Sequence, residues 1–181
     1  MQMKNNHMAN SQNGAVLLVS IIILVLLTIL GVVGMKSSIL QEKLAAGAMD
    51  QNVAFQAAES GLRDAEIYIS TSVTPASGFS AACTDGLCLP STTATSAWAA
   101  IVDWTSSGIP IVFGSKTGAT AIADVGRQPR YIIELIQPDL TSCAGESATS
   151  TCGTPYRITA MGWGKRSTTP VMLQSIYVKI I

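Results

Sequence analysis

The sequence predicts an α+β fold: one long N-terminal helix, membrane-spanning in its inner half and amphipathic in its outer half, packed on an antiparallel β-sheet head. Three observations carry this. Residues 15–35 (AVLLVSIIILVLLTILGVVGM) hold no charge. Apolar residues then recur at helical spacing to about residue 70, and the first proline of the chain is Pro75. Three strand-like runs bounded by turn residues close the sequence. Composition agrees with a chain that is partly membrane-borne: of 181 residues 12% are charged and 48% hydrophobic. Soluble domains carry about 25% charged residues, and the mean hydropathy here is +0.39.

Composition also excludes whole classes of function. Lysine plus arginine total 11 and aspartate plus glutamate 11. No nucleic acid partner is predicted from this balance, because phosphates demand a basic face. The single histidine is His7. Ser-His or Cys-His catalysis and histidine-ligated metals are thereby disfavoured, and neither an enzyme nor a cofactor is expected.

As a helix, residues 15–35 reach about 31 Å, enough for a bilayer core. Their only polar side chains, Ser20 and Thr28, can bond back to helix carbonyls. A secretory signal peptide would have a shorter apolar run with a small-residue cleavage site close behind it. Here Lys36, Gln41, Glu42 and Lys43 separate the run from Ala46-Gly47-Ala48. Before the run lies a short polar leader with Lys4 and a terminal Gly14, which places the leader in the cytoplasm and the remainder outside. Initiation at Met1, Met3 or Met8 is open, and Met8 would leave no leader lysine. Beyond the run, Leu44, Ala48, Gln51, Phe55, Ala58, Leu62, Ala65 and Ile69 form one helical stripe, with Glu59, Arg63 and Glu66 towards solvent. Such a helix is marginal alone, so the stripe needs a partner surface.

Residues 71–97, rich in Ser, Thr, Ala and Gly, read as loop, and residues 95–104 as a short helix with Trp98 and Ile101 on one side. Residues 130–136, 156–163 and 171–181 read as an antiparallel meander with one buried face, the natural seat for the helix stripe. Cys83 and Cys88 enclose TDGL, and Cys143 and Cys152 enclose AGESATST. Of the three pairings open to four cysteines, the local one closes two short loops; no C-x-x-C pair supports zinc. Disulfides imply an oxidising compartment, in agreement with an outward head. Asp85-Gly86 reads as a turn, since one carboxylate is far short of a calcium site. Gly162-x-Gly164 reads as a hairpin bulge or turn, and Trp98, Trp104 and Trp163 as core or interface. Glu134 and Asp139 make no convincing catalytic pair.

A glycine before an uncharged helix, an amphipathic extension of that helix and an outward β head together resemble the type IV pilins and pseudopilins, in particular the PilX-type minor pilins. The run AFQAAESGLRDAE at residues 54–66 resembles the outer-helix segment of that group, and RYIIEL, YRITAMGWG and VMLQSIY its C-terminal strands. The resemblance implies a pilin-like lollipop in four parts: leader peptide 1–14, membrane or filament-core helix 15–35, outer helix 36–70 and globular head 71–181. It implies cleavage by a prepilin peptidase between Gly14 and Ala15 with N-methylation of Ala15, and helix loosening at Gly31 or Gly34 in the filament. Gly31 and Gly34 are equally well read as close-packing positions. Major pilins carry glutamate at the fifth mature position; here that residue is Val19. A subunit with valine cannot neutralise a neighbour's amine, which fits a filament end.

The implied function is a minor pilin of type IV pilus assembly, in a priming or tip complex, supporting biogenesis, twitching motility and adhesion. The implied partners are other minor pilins and the major pilin, the prepilin peptidase and the inner-membrane assembly platform. The implied location is the bacterial inner membrane with the head in the periplasm, then the surface fibre. Two other readings compete: a tip pseudopilin of type II secretion, and a single-pass inner-membrane binding or sensor protein. The last is disfavoured by the short segment before the membrane, which leaves no room for a cytoplasmic effector.

Overall fold

The computed structural model describes residues 14–75, 77–90, 96–101, 103–105, 108–136, 142–144 and 151–180, with the backbone alone for 142–144, 151 and 152. The chain divides into two units, Met1–Ala46 and Gly47–Ile181. One uninterrupted helix, α1 (Ala15–Thr71), contributes to both.

In the first unit α1 carries no charge from Ala15 to Met35, turns polar at Lys36, Gln41, Glu42 and Lys43, and is exposed along its whole surface. It is long and apolar enough to cross a membrane. In the second unit its last seven turns pack on a sheet. α1 ends where local hydroxyls compete for its carbonyls: Ser70 and Thr71 both donate to Ile67 O at 2.8 Å. Lys179 then donates its Nζ to Ile69 O and Val73 O at 2.8 and 2.9 Å, satisfying carbonyls that the helix end leaves without a partner.

The sheet comprises β1 (Leu87–Cys88), β2 (Ile111–Val112), β3 (Arg130–Leu135), β4 (Ser142–Ala144), β5 (Thr151–Trp163) and β6 (Pro170–Ile180). β3, β5 and β6 form the expected antiparallel meander. β1 adds to β3 in parallel, which makes the sheet mixed. β2 and β4 extend it with short antiparallel pairings to β3 and β5. β5 extends past its sequence signal through Pro155, whose nitrogen, with no N–H to donate, lies on the β3 side beyond the last paired residue Leu135, where the Pro155 carbonyl accepts from Ile136 N–H at 3.2 Å.

The sheet is buried on both faces, not on one. Tyr131, Ile133, Leu135, Tyr156, Ile158 and Ala160 point to α1 and meet Ala65, Ile69 and Val73. Ile132 and Trp163 point the other way and are covered by Cys83, Cys88, Ala97 and Trp104. The segment expected to be plain loop is therefore a second layer, built from a tight turn at Thr84–Gly86, β1 and a single helical turn, α2 (Ala97–Ala100). α2 is shorter than the helix expected over 95–104: Ile101 is already extended, and Trp104 lies beyond it in a turn, buried.

The helix stripe is also rotated from the expected one. Leu44, Ala48, Gln51 and Phe55 are exposed, whereas Asp50, Ala54, Ala57, Ala58, Gly61, Asp64, Ala65 and Ile69 are buried. The reason is the distance of approach. A Cβ on Gly162 would lie 2.2 Å from Ala58 N and 2.5 Å from Ala54 O, so only hydrogen fits between strand and helix. Gly162 thus sits inside β5 against the helix backbone, not at a bulge or turn. Small residues face this seam, and Phe55 is turned out.

Candidate processing site and assembly surfaces

Gly14 stands in a turn directly before α1, and its carbonyl accepts from Leu18 N at 3.4 Å as the helix opens. A Cβ at Gly14 would meet nothing within 4 Å among the described residues. The leader, with Lys4 and His7, lies outside the described residues.

The helix that follows presents hydrocarbon and conceals its polar atoms. Ser20 Oγ and Thr28 Oγ1 each donate at 2.8 Å to the carbonyl three residues back, Leu17 O and Val25 O. Ser38 donates to Gly34 O at 3.3 Å. In a medium without water an unsatisfied hydroxyl costs several kcal/mol, more than the burial of two or three methylenes returns at about 0.8 kcal/mol each. Val19 is exposed on this surface and brings no charge to it. Gly31 and Gly34 are helical here, with open space where side chains would be.

In the head, two buried aspartates fasten loops to the outer half of α1. Asp64 accepts the backbone N–H of Gly114 at 2.9 Å and the hydroxyl of Thr117, tying down the turn after β2. That turn relies on Gly114, whose φ is +75° and whose added Cβ would lie 2.3 Å from Ala119 O. Asp64 also lies beside the Tyr131 hydroxyl, and burial together with this carboxylate pushes the phenol above its ordinary range. Asp50 accepts from the Thr169 hydroxyl and the backbone of Lys165 and Arg166. These bonds hold its carboxyl below the usual carboxylate range. Gly164 leaves room for it, since a Cβ there would lie 2.5 Å from Asp50 Oδ1. The β5–β6 hairpin is thereby fixed to the start of the head.

On the opposite face Glu134 accepts from Ala97 N–H, at the start of α2, and lies 3.9 Å from Arg157 Nη1. Burial raises its pKa, partly offset by the guanidinium and the backbone donor. The covering layer is stapled by a disulfide between Cys83 and Cys88, with Cα atoms 4.2 Å apart. Cys83, Asp85 and Gly86 all take positive φ there, which makes Asp85-Gly86 the expected turn. Reducing this bond, or replacing both cysteines by serine, is expected to cost about 2 kcal/mol by the loop-entropy relation for so short a loop. Thermal melts with and without reductant measure that loss. The Cys143–Cys152 pairing lies outside the described side chains, but backbone register sets the two residues directly opposite each other across β4 and β5.

Among the described residues no three of His, Cys, Asp and Glu come together as a metal site. Asp139 lies outside the described residues, and Glu134 is engaged with Arg157 and α2. Trp104 and Trp163 are buried in the second layer, with Trp98 packed at its edge. Sequence reasoning missed Asp50 and Asp64, and read Gly162 and Gly164 only as a hairpin bulge or turn without their contacts to α1. The legible signals were the closely spaced small residues Ala54, Ala57, Ala58 and Gly61, and a glycine pair two apart in a strand.

A family model described as PilX N-terminal matches residues 13–63. A second, described as the C-terminal part of the type IV pilus assembly protein PilX, matches residues 84–179, more than half of the chain. No curated protein and no solved structure gives a significant match.

Proposed function

The chain belongs to the PilX family of type IV pilus assembly proteins and is a minor pilin; from this premise we propose that it is a cleaved, non-enzymatic subunit of an assembly-priming or tip complex. A prepilin peptidase cuts between Gly14 and Ala15 and methylates the new amine on Ala15. The helix is held in the inner membrane with the head outside, and then leaves the bilayer to pack with helices of other minor pilins and the major pilin on the assembly platform. The observation that carries this reading is the exposed helix after Gly14, apolar on every side with its hydroxyls bonded inward. Bilayer and helix bundle are nearly equivalent solvents for such a surface, so packing decides between them. Gly31 and Gly34 each weaken the helix by about 1 kcal/mol and are the places where it loosens in a filament.

Mass measurement of the N-terminus, with and without the peptidase, tests the reading. The expected mature chain begins at Ala15 and carries one extra methyl group. An intact leader in both backgrounds would overturn it.

Val19 supports the end position. A carboxylate at the fifth mature residue is tolerated in a low-dielectric core only when it meets a positive group such as a neighbouring amine. Valine asks for no such neighbour and offers none a partner. In labelled-fibre microscopy the wild-type subunit is expected at fibre ends, and the Val19→Glu variant also along the shaft. Wild-type label along the shaft would refute the tip assignment.

A further inference from the structure

β6 is an outer strand: it pairs with β5 along its length and, among the described residues, with no other strand. Outer strands are usually short or guarded by proline, bulges or inward-pointing charge, because their free N–H and C=O groups recruit other strands. β6 has 11 residues, and its only proline is the first, Pro170. Its one charged side chain, Lys179, is drawn across the helix side to the end of α1 and guards nothing. On the opposite face Ile176, Val178 and Ile180 are exposed at 66%, 51% and 67%, three β-branched residues in a row along one strand. The second layer that covers Ile132 and Trp163 leaves them bare.

We propose that the β6 edge is a docking site for an extended segment of a different pilus assembly subunit, apolar at alternate positions, which adds as a further strand and covers Ile176, Val178 and Ile180. The proposal rests on the reading of the chain as a pilus subunit. Main-chain hydrogen bonds supply the affinity of such an addition, and the three apolar side chains set its register.

A second copy of this chain is the wrong occupant for the usual antiparallel arrangement. Asp50, near the entry of the chain into the head, bonds to Thr169 at the start of β6, and Ile69 and Val73 bond to Lys179 at its end. β6 therefore runs in the same direction as the outer half of α1. Antiparallel β6–β6 pairing would set the two entry points at opposite ends of the joined strands, about 35 Å apart at 3.3 Å per residue. Two anchors bound for one membrane do not tolerate that separation, whereas a strand donated by a different chain carries no such constraint.

A photo-crosslinking amino acid placed at Ile176, Val178 or Ile180 of the full chain, in piliated cells, tests the proposal. All three positions are expected to capture one non-identical pilus assembly protein, through a peptide with apolar residues at alternate positions. Ile67, exposed on α1, is the control and should not capture that peptide. Capture of a second copy of this chain, of lipid alone, or of nothing beyond the Ile67 control would overturn the proposal. In a second arm, Ile176→Lys with Val178→Lys should reduce the adduct formed from position 180 at least tenfold. The thermal midpoint should stay unchanged, because both side chains are exposed. An undiminished adduct would also overturn it. The N-terminal mass from the same cells separates the two readings: a processed chain without adduct fails only the edge, and an unprocessed chain with adduct fails only the filament.

Discussion

Replacing Gly162 with valine is expected to be the most damaging single change in the head. The new Cβ would lie 2.2 Å from Ala58 N, 2.5 Å from Ala54 O and 2.8 Å from Ala57 C, all of them backbone. No side chain can rotate away to make room. Either α1 lifts from β5 or the strand bends, and both open the seam that buries Ala54, Ala57, Ala58 and Gly61. Overpacking costs about 1–3 kcal/mol where side chains can yield, and occasionally more. With backbone on the opposing side the upper end applies, about 3 kcal/mol, or a fall in melting temperature of about 10–15 °C for a domain of this size. Gly47→Ala is the matched control. Its Cβ would meet nothing within 4 Å, so in an exposed helix it should stabilise by up to about 1 kcal/mol. Thermal melts of the full chain in detergent measure both. A Gly162→Val protein that melts with the wild type would mean that the helix is not seated on this strand.

Asp64→Ala is expected to come second, at about 3 kcal/mol. It removes an acceptor for two donors, Gly114 N–H and the Thr117 hydroxyl, in a place that water barely reaches. Charge-assisted bonds are worth about 1.5–3 kcal/mol each, and a donor left buried without a partner adds its desolvation cost. The turn after β2 should then open first, because these two bonds tie it to α1. Asp64→Asn should lose about half as much, since the amide oxygen still serves one donor. Denaturant melts give the stability loss, and limited proteolysis at residues 113–119 locates it. Equal stability of the alanine variant and the wild type would remove this aspartate from the account of the fold.

Both sites were hard to read from sequence for the same reason. Asp50 and Asp64 interrupt an apolar stripe, and by composition they look like solvent-facing residues. Their partners lie far along the chain: the Asp50–Arg166 bond spans 116 positions and the Asp64–Gly114 bond 50. Phe55 shows the converse error. Its size marks it for a core, yet the close approach at Gly162 leaves no volume for it. The strands read as a meander with one buried face, and only the layer of Cys83, Cys88, Ala97 and Trp104 buries the other.

What the sequence determined by itself is local: an uncharged helix long enough for a bilayer, its continuation past residue 35, three strands and a cysteine pair five residues apart. Hydrophobic period, the absence of breakers and short loop closure act within a few turns of chain, so they are written in order along it. The tertiary structure alone decided which side of the helix meets the sheet, that the sheet is covered twice, and that β6 is left with a bare apolar edge. Those outcomes depend on how closely two backbones can approach and on which distant donors meet a buried carboxylate, and neither quantity exists until the chain has folded.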